Sequence, residues 1–255
     1  MRLALAQIDA HMDPPARLHW LAQTLDAIAG KADLLLLPEL FACGYNIADA
    51  LDARAEPQDG PTFQAIAALA GSHQIAIHYG YAERDDDTIY NAAQCVGPDG
   101  QRLVHQRKLA IPPGFERDHF TPGKGCALFT YKGLNIATLI CYDAELPETV
   151  RHVATMGADL VLVPTALGAN WAWVADTMIP TRAFENGVYL AYANSAGLEN
   201  GMEFLGHSVI AAPNGTEAAR ASTAPTILFA SIDKADVTTA QARLPYLIDS
   251  AQLRL

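Results

Sequence analysis

Apolar residues fall along this chain in short blocks whose period changes from one block to the next. Leu3 to Ile8 is a run of strand length, whereas Leu18, Leu21, Leu25 and Ile28 recur at helical spacing behind Pro14-Pro15, a pair suited to a first helical turn. Leu34 to Leu37 predicts the next strand and Pro61 to Ala70 a helix. Ile75 to Glu83, Ile89 to Val96 and Arg102 to Gln106 read as a meander, its last two strands joined by Gly97-Pro98-Asp99-Gly100. Farther on, Leu134 to Ile140 predicts a core strand, Pro147 to Met156 a helix, Asp159 to Val163 a strand and Ala172 to Asn186 a helix. Three more strands follow at Val188 to Ala193, Ser208 to Ala211 and Ile227 to Ile232. Helices interleaved with strands and hairpins imply layers of both kinds on one core, a mixed α/β chain. With 255 residues, 51% of them hydrophobic, and no repeats or low-complexity linkers, a single domain over 1–255 is expected.

Three places break the pattern. The apolar run ending at Ile140 stops at a thiol, Cys141, followed by Tyr142-Asp143-Ala144-Glu145 and the helix-starting Pro147-Glu148. A strand-to-helix elbow presents a sulfur at a sheet end, near helix-start N–H groups that favour thiolate and accept a developing oxyanion. The four-leucine strand ends in Pro38 and then a carboxylate, Glu39, at the strand C-terminus, where open α/β sheets place ligands. Arg107-Lys108-Leu109 closes the third strand of the meander. Taken singly, each has a plainer reading: a packed cysteine, a loop acid and a solvated lysine. Together they supply a base, a cation and a nucleophile, which a thiol of unperturbed pKa ~8.5 needs at neutral pH.

In order and context these segments resemble the nitrilase superfamily of carbon–nitrogen hydrolases, built on a Glu, Lys, Cys triad. The resemblance runs from Leu5-Ala6-Gln7 through Leu37-Pro38-Glu39-Leu40-Phe41 and Gly44-Tyr45 to Gly206-His207-Ser208-Val209-Ile210 and Pro213-Asn214-Gly215. At its centre are Arg107-Lys108-Leu109 with Phe120-Thr121-Pro122-Gly123, and Cys141-Tyr142-Asp143 with Leu146-Pro147-Glu148 and Arg151. It implies a four-layer α-β-β-α sandwich, with Glu39 as general base, Lys108 as stabiliser of the oxyanion and intermediate, and Cys141 as nucleophile. The Tyr142 backbone N–H would share the oxyanion. A second glutamate shortly after the lysine orients lysine and amide in such proteins; Glu116 matches it and Asp118 competes. The resemblance also implies no metal or organic cofactor, and pairing through a helical face into a homodimer or larger assembly. Leu244 to Leu255 could dock on that partner or on its own domain.

Tyr-Asp after the cysteine, with Ala183-Phe184-Glu185-Asn186 and Ala191-Tyr192-Ala193-Asn194, is similar to amide-cleaving rather than nitrile-cleaving members. Glu145 stands where relatives acting on ω-amides of dicarboxylic acids carry arginine, which disfavours an anionic substrate and suggests a neutral or amine-bearing carboxamide. N-carbamoyl amide or nitrile hydrolysis on the same scaffold, and a non-catalytic binding protein, are the other readings. Tyr45, Asn170 and Trp171 are candidates for the pocket rim; Trp173 fits a rim or a helix-to-core anchor.

The net charge of −11, with no basic cluster, excludes nucleic acid and anionic membrane as expected partners. Cys43, Cys95, Cys126 and Cys141 show no paired spacing for a disulfide scaffold or zinc site, and no histidine pair has metal-ligand spacing. His207 is expected to pack or hydrogen-bond locally. The N-terminal segment reaches Gln7 and Asp9 before any signal-type stretch develops, so the cytoplasm is the expected compartment.

Overall fold

A computed structural model describes residues 1–47 and 50–254. Its strands, in chain order, are β1 (Arg2–Gln7), β2 (Leu34–Leu36), β3 (Ala76–Asp85), β4 (Thr88–Val96), β5 (Arg102–Arg107), β6 (Leu128–Tyr131), β7 (Leu134–Thr138), β8 (Leu160–Pro164), β9 (Tyr189–Ala193), β10 (Ala196–Glu199), β11 (Met202–Leu205), β12 (Val209–Ala211), β13 (Glu217–Arg220) and β14 (Thr226–Ser231). The α-helices are α1 (Pro14–Ile28), α2 (Leu51–Arg54), α3 (Pro61–His73), α4 (Phe115–His119), α5 (Pro147–Thr155), α6 (Ile179–Asn186), α7 (Lys234–Arg243) and α8 (Tyr246–Gln252).

Residue parity explains the layers. Along β1 and β2, Leu3, Leu5, Leu34 and Leu36 point one way, into a cluster with Ile136, Leu160, Leu162, Tyr189 and Ala191. Their neighbours Ala4, Ala6 and Leu35 point the other way, against Leu21 and Leu25 of α1 and Ile66 and Ala70 of α3. On the far side Ala137, Val161 and Leu190 meet Val150 and Val153 of α5 and Ile179 and Ala183 of α6. Strands covered on both faces read as continuous apolar runs instead of alternating ones. The result is the expected four-layer α-β-β-α sandwich. Its two inner sheets have the orders β14-β1-β2-β3-β4-β5 and β13-β12-β9-β8-β7-β6. β1, β2 and β3 run parallel, as do β7, β8 and β9, with antiparallel strands outside them.

One predicted helix is broken. In place of an unbroken helix over 172–186, the chain makes a 3-10 turn at Ala169–Trp171, a π turn at Val174–Met178 and only then α6. Pro180 is the cause: it offers no N–H and its ring crowds the carbonyl four residues back, so the preceding turn widens. The docking stretch at the C-terminus forms α8, and its last residue, Leu255, lies outside the described residues. Among the described residues no helix is long and apolar enough to cross a membrane.

Candidate active site

Glu39, Lys108, Cys141 and Thr165 follow the C-terminal ends of β2, β5, β7 and β8. The two sheets meet there: the Glu39 N–H donates to the Thr165 carbonyl at 3.3 Å. Leu40, next in the chain, has φ 49°, and the turn it makes is pressed against β3. A Cβ on Gly80 would fall 2.5 Å from the Leu40 nitrogen and 2.9 Å from Glu39 Cα, so glycine is required for this approach. The Ala42 N–H closes the turn on the Gly80 carbonyl at 3.0 Å.

Cys141 also occupies the left-handed region, at φ 47°, and opens a 3-10 helix over Cys141–Glu145, so the predicted elbow is present. Asp143 holds it. Its buried carboxylate accepts from the Ile140 N–H at 3.0 Å and from Leu109 and Ala110 N–H at 3.0 and 2.8 Å, tying the cysteine turn to the chain beyond Lys108.

Lys108 is wholly buried, and its Nζ donates to Glu39 Oε1 at 2.7 Å and to Glu116 Oε1 and Oε2 at 2.7 and 2.6 Å. Asn91 Nδ2 bridges the same carboxylates, 2.7 Å from Glu39 Oε1 and 3.1 Å from Glu116 Oε2. The Tyr45 hydroxyl donates to Glu116 Oε1 at 2.7 Å. Every carboxylate oxygen of this cluster is engaged except Glu39 Oε2, which is buried and, like Asn91 Oδ1, has no hydrogen-bond partner among the described residues. Burial pushes the Glu39 carboxyl up to about 7, with the Glu116 charge adding to the effect and Lys108 opposing it. Burial disfavours charge on Lys108, but Glu39 and the groups around it outweigh that and raise its pKa. The Cys141 thiol is raised well above its ordinary value by burial and then by the Glu39 charge, against the pull of Lys108. At rest the sulfur therefore keeps its proton.

Glu116, not Asp118, is the acid at Lys108; Asp118, two residues on and so on the other side of α4, is exposed. Tyr45 joins the cluster as a ligand of Glu116. Glu145 is half-buried on the Cys141 helix, and among the described residues its carboxylate has no hydrogen-bond or ion-pair partner; burial raises its pKa, with Lys108 and Arg182 opposing. Tyr142 lies in the first turn of the same helix. Asn170 and Trp171 sit on an exposed turn, Trp171 with 64% of its surface open, and neither touches the charged cluster. Trp173 is 73% exposed, so it anchors no helix. His207 pairs locally with Asp176 at 2.9 Å. Sequence reasoning passed over Asn91, Gly80 and the stapling role of Asp143. Asn91 carried a signal, a lone amide in the otherwise apolar start of Asn91-Ala92-Ala93, while Gly80 and Asp143 act through contacts distant in sequence. Among the described residues no group of three or more His, Cys, Asp or Glu is arranged to hold a metal ion.

The model of the carbon–nitrogen hydrolase family matches residues 2–242. This chain belongs to that family. It is 43% identical to the "Hydrolase in pqqF 5'region" of Pseudomonas protegens, over 91% of this chain and 81% of that protein. It is 35% identical to the (R)-stereoselective amidase of a Pseudomonas species, over 76% of this chain and 72% of the relative. Among solved structures it resembles the NitN amidase of Nesterenkonia sp. AN1, with a TM-score of 0.83 and 31% identity over 98% of this chain and 99% of that one. In other structures of the Nesterenkonia amidase, acrylamide or the acetamide moiety of fluoroacetamide is joined to the active-site cysteine.

Proposed function

We propose that this carbon–nitrogen hydrolase is an amidase that converts a small carboxamide to its acid and ammonia through a thioester on Cys141. The observation that carries this reading is the free Oε2 of Glu39, a carboxylate held near neutrality beside a buried thiol and a permanently charged lysine. Glu39 takes the thiol proton as sulfur bonds to the amide carbon; Lys108 and the Tyr142 N–H hold the oxyanion. Collapse of the tetrahedral adduct breaks the C–N bond, and Glu39 returns the proton to the departing ammonia. Water, deprotonated by Glu39, then attacks the thioester carbonyl, giving the carboxylic acid and restoring the thiol. Glu116, with Tyr45 and Asn91, keeps Lys108 aimed at the reacting carbonyl.

Glu145 supports a neutral or amine-bearing carboxamide: a half-buried carboxylate without a partner attracts an ammonium and repels an anionic acyl group. Asn170 and Trp171, being exposed, retain an outer-rim role at most. A homodimer or larger assembly is supported by the groove of about 410 Å³ between Arg151, Phe184 and α8, flanked by Ile248 and Leu253 at 63% and 64% exposure. Four free cysteines suit the reducing cytoplasm.

The test is a panel of neutral, amine-bearing and carboxylate-bearing amides, ureido acids and nitriles, assayed for ammonia release with wild type and Cys141→Ala. The expected result is turnover of amides, best where the acyl group is neutral or cationic, and none in the variant, which keeps its circular dichroism spectrum. Turnover confined to ureido acids or nitriles, or retained without the thiol, overturns the reading.

A further inference from the structure

Away from the reacting atoms, one charged pair is buried with no role in the chemistry above. Arg17 of α1 and Glu199 at the end of β10 meet at 2.9 Å, with side chains 4% and 8% exposed. Burying an ion pair costs more desolvation than it returns unless every donor and acceptor is placed, so its partners show what it specifies. All of them here are backbone groups. Arg17 donates through Nε to the Met12 carbonyl at 2.7 Å, through Nη2 to Ala10 at 3.0 Å and through Nη1 to Phe41 at 3.1 Å. Glu199 Oε2 accepts from the N–H groups of Tyr45 and Asn46 at 2.9 and 2.7 Å. One end of the pair thus grips the turn two residues past Glu39, and the other grips the residue whose hydroxyl reaches Glu116.

The surroundings are built for this grip. Gly44 has φ 95°, and a Cβ there would lie 2.7 Å from Glu199 Oε1, so the segment admits only glycine beside the carboxylate. Asn46 Nδ2 donates to the Glu199 and Asn200 carbonyls at 3.3 and 3.1 Å, and Asn200 Nδ2 returns a bond to the Asn46 carbonyl at 2.8 Å. Phe204 of β11 meets the Tyr45 ring edge-on, with centroids 6.0 Å apart. The β10–β11 hairpin therefore fixes Tyr45 by its backbone and by its ring. Glu116 needs that fixing, because α4 is only five residues long and cannot hold itself rigid.

We propose that Glu199, paired with Arg17, is a positioning residue of this enzyme: it sets the Tyr45–Glu116 hydrogen bond and through it the direction of Lys108. Its activity readout rests on the amidase reading. Glu199 touches no reacting atom and acts through Tyr45.

A double-mutant cycle tests it, with Glu199→Gln, Tyr45→Phe and the combined variant measured for kcat and KM and for alkylation of Cys141 by iodoacetamide, whose carboxamide needs no turnover. Each single change is expected to lower kcat and the alkylation rate about tenfold, KM changing far less. The combined variant should fall short of the product of the two losses by at least about fivefold, because both act through one hydrogen bond. A multiplicative result, or a Glu199→Gln variant with lowered melting temperature and unchanged kcat per folded molecule, overturns the proposal. If Glu199→Gln does not fold, Glu199→Asp takes its place in the cycle with the same expectation, since it keeps the charge that Arg17 pairs with while withdrawing the carboxylate from the Tyr45 and Asn46 N–H groups. Should wild type release ammonia from no carboxamide, the amidase reading fails while the alkylation cycle still decides the role of Glu199.

Discussion

Replacing Glu116 with glutamine separates two roles that its carboxylate combines, holding Lys108 in place and raising the pKa of Glu39. The amide keeps the size of the side chain and an oxygen for the lysine, and Lys108 retains its 2.7 Å bond to Glu39, so no buried charge is orphaned. What disappears is one negative charge near Glu39, bridged to it by Lys108 and by Asn91. Two such charges about 5 Å apart repel by roughly 3 kcal/mol at an effective dielectric of ~20, equivalent to about two pKa units. The variant lets Lys108 concentrate on Glu39, which acts in the same direction. Glu39, pushed up to about 7 by burial and by Glu116, should therefore titrate about one to two units lower in Glu116→Gln. Glu39 must be ionised to accept the thiol proton, so the acid limb of kcat/KM against pH follows its pKa and moves to lower pH. The plateau should fall as well, by about 10- to 100-fold, because Lys108 loses its second anchor. The assay is ammonia release between pH 5 and 9, with fold checked by circular dichroism. An acid limb that stays in place or moves upward refutes the assignment of Glu39 as the base whose pKa Glu116 raises.

Asn91→Ala should move the same limb the opposite way, to higher pH, because the amide hydrogen bond that favours ionised Glu39 is lost; a pH–rate profile of wild-type shape counts against it. Gly80→Ala should lower kcat about 100-fold with little change in KM, since the new methyl would lie 2.5 Å from the Leu40 nitrogen and must displace the Glu39 turn; near wild-type kcat refutes that. His78, buried in β3 and bonded through Nε2 to Thr138 at 2.9 Å, has its pKa lowered by burial to about 3. The unfolded chain binds that proton near pH 6.5 and the folded one does not, so the contribution of His78 is complete above about pH 6.5. It is lost as pH falls towards 3, at about 1.4 kcal/mol per unit. Urea unfolding at pH 7.5, 6 and 5 should show a slope shallower by that amount in His78→Gln than in wild type; equal slopes refute it.

The strands were legible where both faces are buried, because Leu34 to Leu37 or Asp159 to Val163 need no knowledge of a partner to read as core. Four strands were missed, β6, β10, β11 and β13, and in two of them burial depends on what folds over them. β10 is Ala196-Gly197-Leu198-Glu199, with its middle two residues exposed, and β13 is Glu217-Ala218-Ala219-Arg220 at a sheet edge. Neither carries an apolar pattern. Glu39 and Cys141 were legible for a related reason, each being an ionisable residue that ends an apolar run, whereas Lys108 follows the polar His105-Gln106-Arg107 and was picked out by the motif around it. Asn91 and Asp143 act across 52 and 34 residues, on Glu39 and Leu109, and no local spacing encodes such a contact. The rim differed again, because Trp171 and Trp173 look like pocket residues by type while the broken helix after Pro164 turns both outward.

The charge arrangement explains why two carboxylates surround one lysine. On the proposed mechanism, the proton leaving Cys141 neutralises Glu39 at the moment negative charge develops on the substrate oxygen. Lys108 then loses one of its two anionic partners, and the ammonium that Glu39 held at 2.7 Å is free to bind the oxyanion. Glu116 keeps its bonds to the ammonium at 2.7 and 2.6 Å and holds it from following the substrate out of register. A site with Glu39 alone would leave Lys108 without a protein carboxylate while Glu39 carries the thiol proton, and only the substrate oxyanion would then hold the buried ammonium. With both carboxylates, the cation always has at least one partner, and the step that creates the oxyanion also releases the group that stabilises it. Little reorganisation is then needed in the transition state, the condition under which preorganised charge lowers a barrier most.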